Sequence, residues 1–214
     1  MKRLNQEIER LINKYPELSS CEDAIKQAYE ILVGSYRQGG KLLLCGNGGS
    51  AADCEHIVGE LMKGFTLKRP VDDAFKQKLI EMDQADGQYM ADHLQQALPA
   101  ISLVSQSALA TAFVNDVAAD MVFAQQVYGY GVEGDVVIGL STSGNSDNVI
   151  KALKVAKALG LKTIGFTGRN GGKMNDVCDV TIRVPWDETL DVQERHLPIY
   201  HTLCIMLEKE FFKS

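Results

Sequence analysis

No segment of this chain approaches the ~20 consecutive apolar residues that a transmembrane helix needs, and basic residues do not outnumber acidic ones: 22 Lys+Arg stand against 28 Asp+Glu, a net charge of −6. The first absence argues against a helical membrane span; the second argues against non-specific binding to nucleic acid or to an anionic membrane surface. Cysteine is sparse and scattered. Cys21, Cys45, Cys54, Cys178 and Cys204 are odd in number and contain no CxxC pair, which excludes a cysteine zinc cluster and speaks against a disulfide framework. Cys45 and Cys204 sit in apolar runs and are expected to be buried, unreactive thiols. The turn Gly46-Asn47-Gly48-Gly49-Ser50 is not followed by the GK[ST] of a Walker loop and is not GxGxxG. The amino-terminal MKRLNQEIERLINKYPEL is amphipathic and charged, without an apolar core of signal-peptide length, so a cytoplasmic location is the expectation.

What the chain does have is concentrated in Gly134–Asn148, GDVVIGLSTSGNSDN. Asp135 to Leu140 is a nearly unbroken apolar, β-branched run, the pattern of a central strand covered on both faces in a parallel sheet. Ser141, Thr142, Ser143 and Ser146 then place four hydroxyls around one glycine, and from Asn148 the apolar residues fall at helical spacing. At such a strand–turn–helix junction the first helical N–H groups lack internal partners and face outward with the positive end of the helix dipole. An anion is favoured there. Hydrogen bonds to a charged group are each worth roughly 1.5–3 kcal/mol, so three or four can hold a phosphate monoester without Lys or Arg. A Ser/Thr helix cap with no ligand is the plainer reading for one Ser; four hydroxyls favour phosphate.

At 214 residues the chain suits one well-buried core, so a single domain over 1–214 is expected, with amino-terminal helices in 1–37 and a charged insertion at 66–98. Leu4, Ile8, Leu11 and Ile12 share a helical face, and Ala24, Ala28, Ile31 and Leu32 continue the pattern after Pro16. Whether this pair packs on its own core or on a partner subunit is open. Lys41 to Cys45 reads as a strand, followed by the turn Gly46-Asn47-Gly48-Gly49 and a helix, where glycines let backbone approach a ligand. That helix carries His56 and Glu60, four apart and so on one face, while Asp53 and Glu55 read as solvated charges. Thr66 to Leu98 suggests one or two short helices, with His93 on the surface. Ala100–Leu103, Lys162–Phe166 and Val180–Val184 complete five strands, and intervening helices imply a parallel sheet with ligand sites at its carboxyl ends. Near the end, Gln193 and His201 flank Pro198, which predicts that the last helix begins or kinks there; His196 reads as a core or interface histidine.

With these pieces in place the chain resembles the sugar isomerase (SIS) domain family over nearly its full length, and within it the phosphoheptose isomerases. The resemblance rests on CGNGGSAADCEHIVGEL (Cys45–Leu61), Asn115-Asp116, GDVVIGLSTSGNSDNVIKAL (Gly134–Leu153), TGRNGGKM and QERHLPIYH (Gln193–His201). It implies an α/β three-layer sandwich with a five-stranded parallel sheet flanked by helices. It also implies a phosphate held by Ser141, Thr142, Ser143 and Ser146, a sugar contacted by Asn47, Gly48, Gly49, Glu60, Asn115, Asp116 and Gln193, and a zinc ion bound by His56, Glu60, Gln193 and His201 between subunits of a homotetramer. Sedoheptulose 7-phosphate would become an aldoheptose phosphate, D-glycero-D-manno-heptose 7-phosphate, through an enediol, with Glu60 as base and His201 as acid. Three departures from the family pattern stand out: the 66–98 segment replaces a short link, the basic residue often found just after Glu60 is shifted, with Lys63 and then Gly64 here, and the aspartate often seen three residues before Gln193 is Leu190, with Asp191 one step late. The rivals are a non-catalytic SIS protein that binds a partner, like the DnaA initiator-associating protein, and an isomerase of another phosphosugar. The first is disfavoured because Glu60 and His201 are both present.

Overall fold

A computed structural model describes residues 2–212, with side chains from Gln6 onward. Five strands form one parallel sheet: β1 (Leu42–Gly46), β2 (Ala100–Ser102), β3 (Val136–Leu140), β4 (Lys162–Thr167) and β5 (Val180–Arg183), in the order β2-β1-β3-β4-β5. β1 and β3 are buried along their whole length, as their apolar runs require. Their register pairs Gly46 with Leu140, so the turns after β1 and β3 lie side by side. Because β2 lies on the far side of β1 from β3, the chain reverses direction across the sheet at this point, which is where α/β sheets open a ligand crevice.

Alternate residues of each strand feed two cores. On one face Leu42, Leu44, Val136, Ile138 and Phe166 pack against α1 (Lys2–Lys14), α2 (Glu22–Arg37), α3 (Gly49–Met62) and α10 (Thr189–Phe211). On the other, Leu43, Cys45 and Val137 meet α7 (Val122–Tyr130), α8 (Asp147–Ala158) and the short α9 (Met174–Val177). The expected three-layer sandwich is present. Gly139 is small for a reason: a Cβ there would sit 2.8 Å from Val149 Cγ1, so α8 could not approach β3.

The amino-terminal helices pack on their own core. Ile8, Leu11, Leu18, Ile25, Ala28 and Leu32 are all buried in it; the side chain of Leu4 falls outside the described residues. Cys45 and Cys204 are buried and free as expected, and burial pushes both thiols up to about 12.

Two sequence expectations are corrected. α10 does not begin at Pro198 but runs from Thr189 through Phe211 with the proline inside. Val192, His196, Ile199 and Tyr200 bury it on both sides of Pro198, and the one carbonyl that loses its donor belongs to the exposed Glu194, where water can serve it. Asp53 is not a solvated charge: only 9% of it is exposed. Segment 66–98 does hold two helices, α4 (Asp73–Met82) and α5 (Gln84–His93), and a bridge between Pro70 and Gln95 brings its two ends together. Remaining is α6 (Ser107–Asp116), which buries none of its residues.

Candidate active site

The two turns at the switch point are tied to each other. Asn47, in the glycine turn after β1, and Asn148, in the first turn of α8, exchange two hydrogen bonds of 2.9 Å. The hydroxyl turn is shaped by Gly144, at φ +66°, whose pro-Cβ position lies 2.0 Å from the carbonyl oxygen of Gly171. No side chain fits there. The loop 168–173 packs beneath: Gly168 N donates to Thr142 O at 2.9 Å and Met174 N to Gly144 O at 3.2 Å. Ser141 is buried, its hydroxyl 2.8 Å from that of Ser146, while Ser143 is exposed and accepts from Asn145 N at 3.2 Å. Hydroxyls and backbone donors thus collect at the amino end of the twelve-residue α8, a setting that attracts an anion.

α3 and α10 lie side by side and carry the reactive groups. His56 Nε2 is 3.3 Å from Glu60 Oε1 and 3.4 Å from His201 Nε2. Three residues from two helices therefore converge on one imidazole nitrogen. Lys63 Nζ approaches the other Glu60 oxygen at 3.4 Å. Phe65 closes over His201 with ring centres 5.4 Å apart. Burial, then the neighbouring His56, holds His201 below the ordinary imidazole range, with Glu60 opposing.

Behind His56 lies a chain of polar contacts. Tyr200, 1% exposed, donates its hydroxyl proton to Asp53 Oδ1 at 3.0 Å, and the same oxygen is 3.1 Å from His56 Nδ1. Burial raises the Asp53 carboxyl, against the hydrogen bond from Tyr200 and the His56 charge. Sequence reading took Asp53 for a solvated charge and passed over Tyr200. Asp53 stands one helical turn before His56 on the same face, and Tyr200 adjoins His201, so spacing marks the first and only tertiary contact marks the second.

A family model for the SIS domain matches residues 5–77 and 90–168. The chain belongs to the SIS domain family. The phosphoheptose isomerase of Aliarcobacter butzleri is 40% identical over 193 residues, covering 90% of this chain and 88% of that one. The phosphoheptose isomerase of Clostridium acetobutylicum is 40% identical over 190 residues, covering 89% and 84%. Among solved structures, the phosphoheptose isomerase of Neisseria gonorrhoeae superposes with a TM-score of 0.73 at 32% identity over 97% of this chain and 98% of that one. Between the two matched segments of this SIS chain the family model skips 78–89, within the α4–α5 hairpin, and its match ends before α10.

Of the residues singled out from the sequence, this SIS structure brings His56, Glu60 and His201 together. Gln193 stands apart, two turns earlier on α10 or about 12 Å along its axis, with its amide where a Cβ on Gly49 would lie 1.7 Å from Nε2. It covers the glycine turn and lines a cleft with Asp53, Leu190, Glu194 and Leu197. Asn115 and Asp116 are exposed at the end of α6, bonded to each other at 2.8 Å and to no residue of the cleft. His196 is a core residue, fully buried and edge-on to Phe166.

Tetrahedral zinc with bonds of about 2.0–2.1 Å sets its ligand atoms about 3.3–3.4 Å apart, matching both His56 contacts. No three His, Cys, Asp or Glu side chains among the described residues stand close enough together to hold a metal ion as they are; the two matching edges share His56. The donor types and two edges fit, and closing the polyhedron needs Glu60 and His201 drawn together.

Proposed function

We propose that this chain interconverts sedoheptulose 7-phosphate and D-glycero-D-manno-heptose 7-phosphate through an enediol, as an aldose–ketose isomerase. The observation that carries this is the meeting of Glu60, His56 and His201 on helices beside the paired turns of β1 and β3. The phosphate would lie in the Ser141–Ser146 turn, against Ser141, Thr142, Ser143 and Ser146 and the first N–H groups of α8. Asn47, Gly48, Gly49 and Gln193 border the crevice on the sugar's path.

Glu60, the base, would carry the proton between the two carbons, its carboxylate within reach of solvent and substrate and steadied by Lys63. His201 would present an imidazole N–H that can donate to the carbonyl oxygen as enediol character develops. Zinc on His56, Glu60 and His201, with Gln193 turned inward, would supply Lewis-acid polarisation of that carbonyl. Phe65 screens one side of His201 from water, which strengthens each of these interactions.

The exposed Asn115 and Asp116, remote from their own cleft, and the wholly unburied α6 support a homotetramer in which α6 of one subunit completes the site of another. The same reading carries a cytoplasmic location; no helix among the described residues is long and apolar enough to cross a membrane. A purified, zinc-supplemented sample incubated with sedoheptulose 7-phosphate in D2O, followed by NMR, tests the reaction. An aldoheptose phosphate should form and be lost in Glu60→Gln and His201→Ala; no conversion by folded wild type would overturn the proposal.

A further inference from the structure

Tyr200 has one hydroxyl proton and two neighbours, Asp53 Oδ1 at 3.0 Å and His56 Nδ1 at 3.1 Å. It can donate to only one of them. Donation to the carboxylate is the stronger, charge-assisted bond, and it leaves the phenol oxygen as an acceptor facing Nδ1. Donation to His56 instead would leave a carboxylate oxygen opposed to a phenol oxygen with no proton between, unless Asp53 itself were protonated. Both members are buried, Tyr200 1% and Asp53 9% exposed, so water does not readily substitute for either bond.

We propose that Asp53 and Tyr200 are positioning residues that keep a proton on Nδ1 of His56, so that the lone pair of Nε2 faces the N–H of His201 and a metal. The proposal deepens the isomerase reading and rests on it for the role of His56. Two neighbours bear on Nε2 itself: the Glu60 carboxylate at 3.3 Å would accept a proton from it, and His201 Nε2 at 3.4 Å can donate one to it. The buried relay decides between them by occupying Nδ1 first. A neutral imidazole has one proton, and once Nδ1 holds it, Nε2 carries a lone pair. A carboxylate acting on a ligand histidine through its second nitrogen fixes both tautomer and ring orientation; here the tyrosine hydroxyl stands between the two. Among the described residues Asp53 Oδ2 has no partner, so the one hydrogen bond found there for the Asp53 carboxylate runs through Tyr200.

With four histidines in the chain, ring nitrogens can be read individually. Full-length, metal-free protein labelled with 15N-histidine, held at about pH 8 where an ordinary imidazole is neutral, would be observed by long-range 1H–15N correlation. His56 is assigned by its loss in His56→Gln. Wild type should show a protonated Nδ1 and an unprotonated Nε2. Tyr200→Phe, which keeps the ring in the core, should populate the opposite tautomer and weaken zinc binding, measured by chelator competition, by about 10–100-fold. Asp53→Ala should do the same, and Asp53→Asn, still able to accept from Tyr200, should restore much of the wild-type tautomer. Wild-type His56 carrying its proton on Nε2, or tautomers unchanged in both Tyr200→Phe and Asp53→Ala, would overturn the proposal. The spectra contain no sugar. A correct tautomer in a protein that leaves sedoheptulose 7-phosphate untouched would therefore sustain the relay and overturn the isomerase instead.

Discussion

Arg69 and Glu208 form an ion pair with both side chains completely buried, Nε to Oε1 at 2.8 Å. Arg69 also donates to the carbonyl oxygens of Leu61 at 2.8 Å and Glu60 at 3.1 Å, closing the carboxyl end of α3. Glu208 receives the backbone N–H groups of Phe65, Thr66 and Leu67. Burial alone would raise the Glu208 carboxyl, and these donors with the Thr66 hydroxyl outweigh it and bring it below the usual range. The pair thus anchors the chain that leaves Glu60 to the middle of the core.

Removing one partner of such a pair leaves the other charged and dry, at a cost of about 3–5 kcal/mol. Arg69→Met should fall near the lower end, because Glu208 keeps its backbone donors. Glu208→Leu should be worse, since it strands a guanidinium and three backbone N–H groups together. Denaturant unfolding of the two variants checks the order; equal losses would contradict it.

The hairpin beyond that anchor contributes little to the core. α4 buries no residue, α5 buries only Gly87 and Ala91, and Met82 and Tyr89 are 82% and 65% exposed. Because Pro70 and Gln95 are paired, replacing 73–93 by a short Gly-Ser link should leave stability within about 1 kcal/mol while keeping Arg69. Turnover of the shortened protein reads whether the hairpin covers the cleft: a fall in kcat/KM with an unchanged melting temperature is the expected result, and full activity would show that it does not.

Gly144→Ala places a methyl group in a left-handed backbone and against the Gly171 carbonyl. Both are backbone conflicts that no rotamer relieves, so a loss of about 1–3 kcal/mol is expected. If the turn holds phosphate, KM should rise at least about tenfold while zinc affinity stays unchanged, because His56, Glu60 and His201 belong to other elements. Inorganic phosphate should then cease to inhibit at concentrations that inhibit the wild type.

His196 gives the fold a dependence on acid. It is fully buried, its Nδ1 has no partner, and Nε2 has only the Thr167 carbonyl at 3.4 Å. Burial lowers it to about 4, the Thr167 contact opposing. The unfolded chain, with an ordinary imidazole near 6.5, binds the proton more readily across about pH 4–6.5, so stability falls as pH drops through that window. At pH 5 the loss is about 2 kcal/mol relative to pH 7.5. His196→Gln should flatten this part of the curve whatever it costs at neutral pH; an unchanged slope would assign the acid sensitivity elsewhere.

The sequence alone determined the sheet, the two turns and the pairing of His56 with Glu60, because apolar runs of strand length, glycine-rich strand ends and i,i+4 spacing are local properties. It also marked Ser141–Ser146 as an anion site, since hydroxyls next to a helix start act through neighbouring backbone. Other features depended on what stands across the core. Pro198 was read as the start or a kink of the last helix because the cost of a proline in a helix is local, whereas the burial on both sides that carries α10 through it is not. Asp53 was read as solvated because charge is visible in a sequence and the tyrosine that covers it, 147 residues away, is not. The Arg69–Glu208 pair and the placing of Gln193 over Gly49 rather than beside His201 were likewise decided only when α3 and α10 packed together, for a side chain's partner is set by which surfaces the whole chain brings into contact.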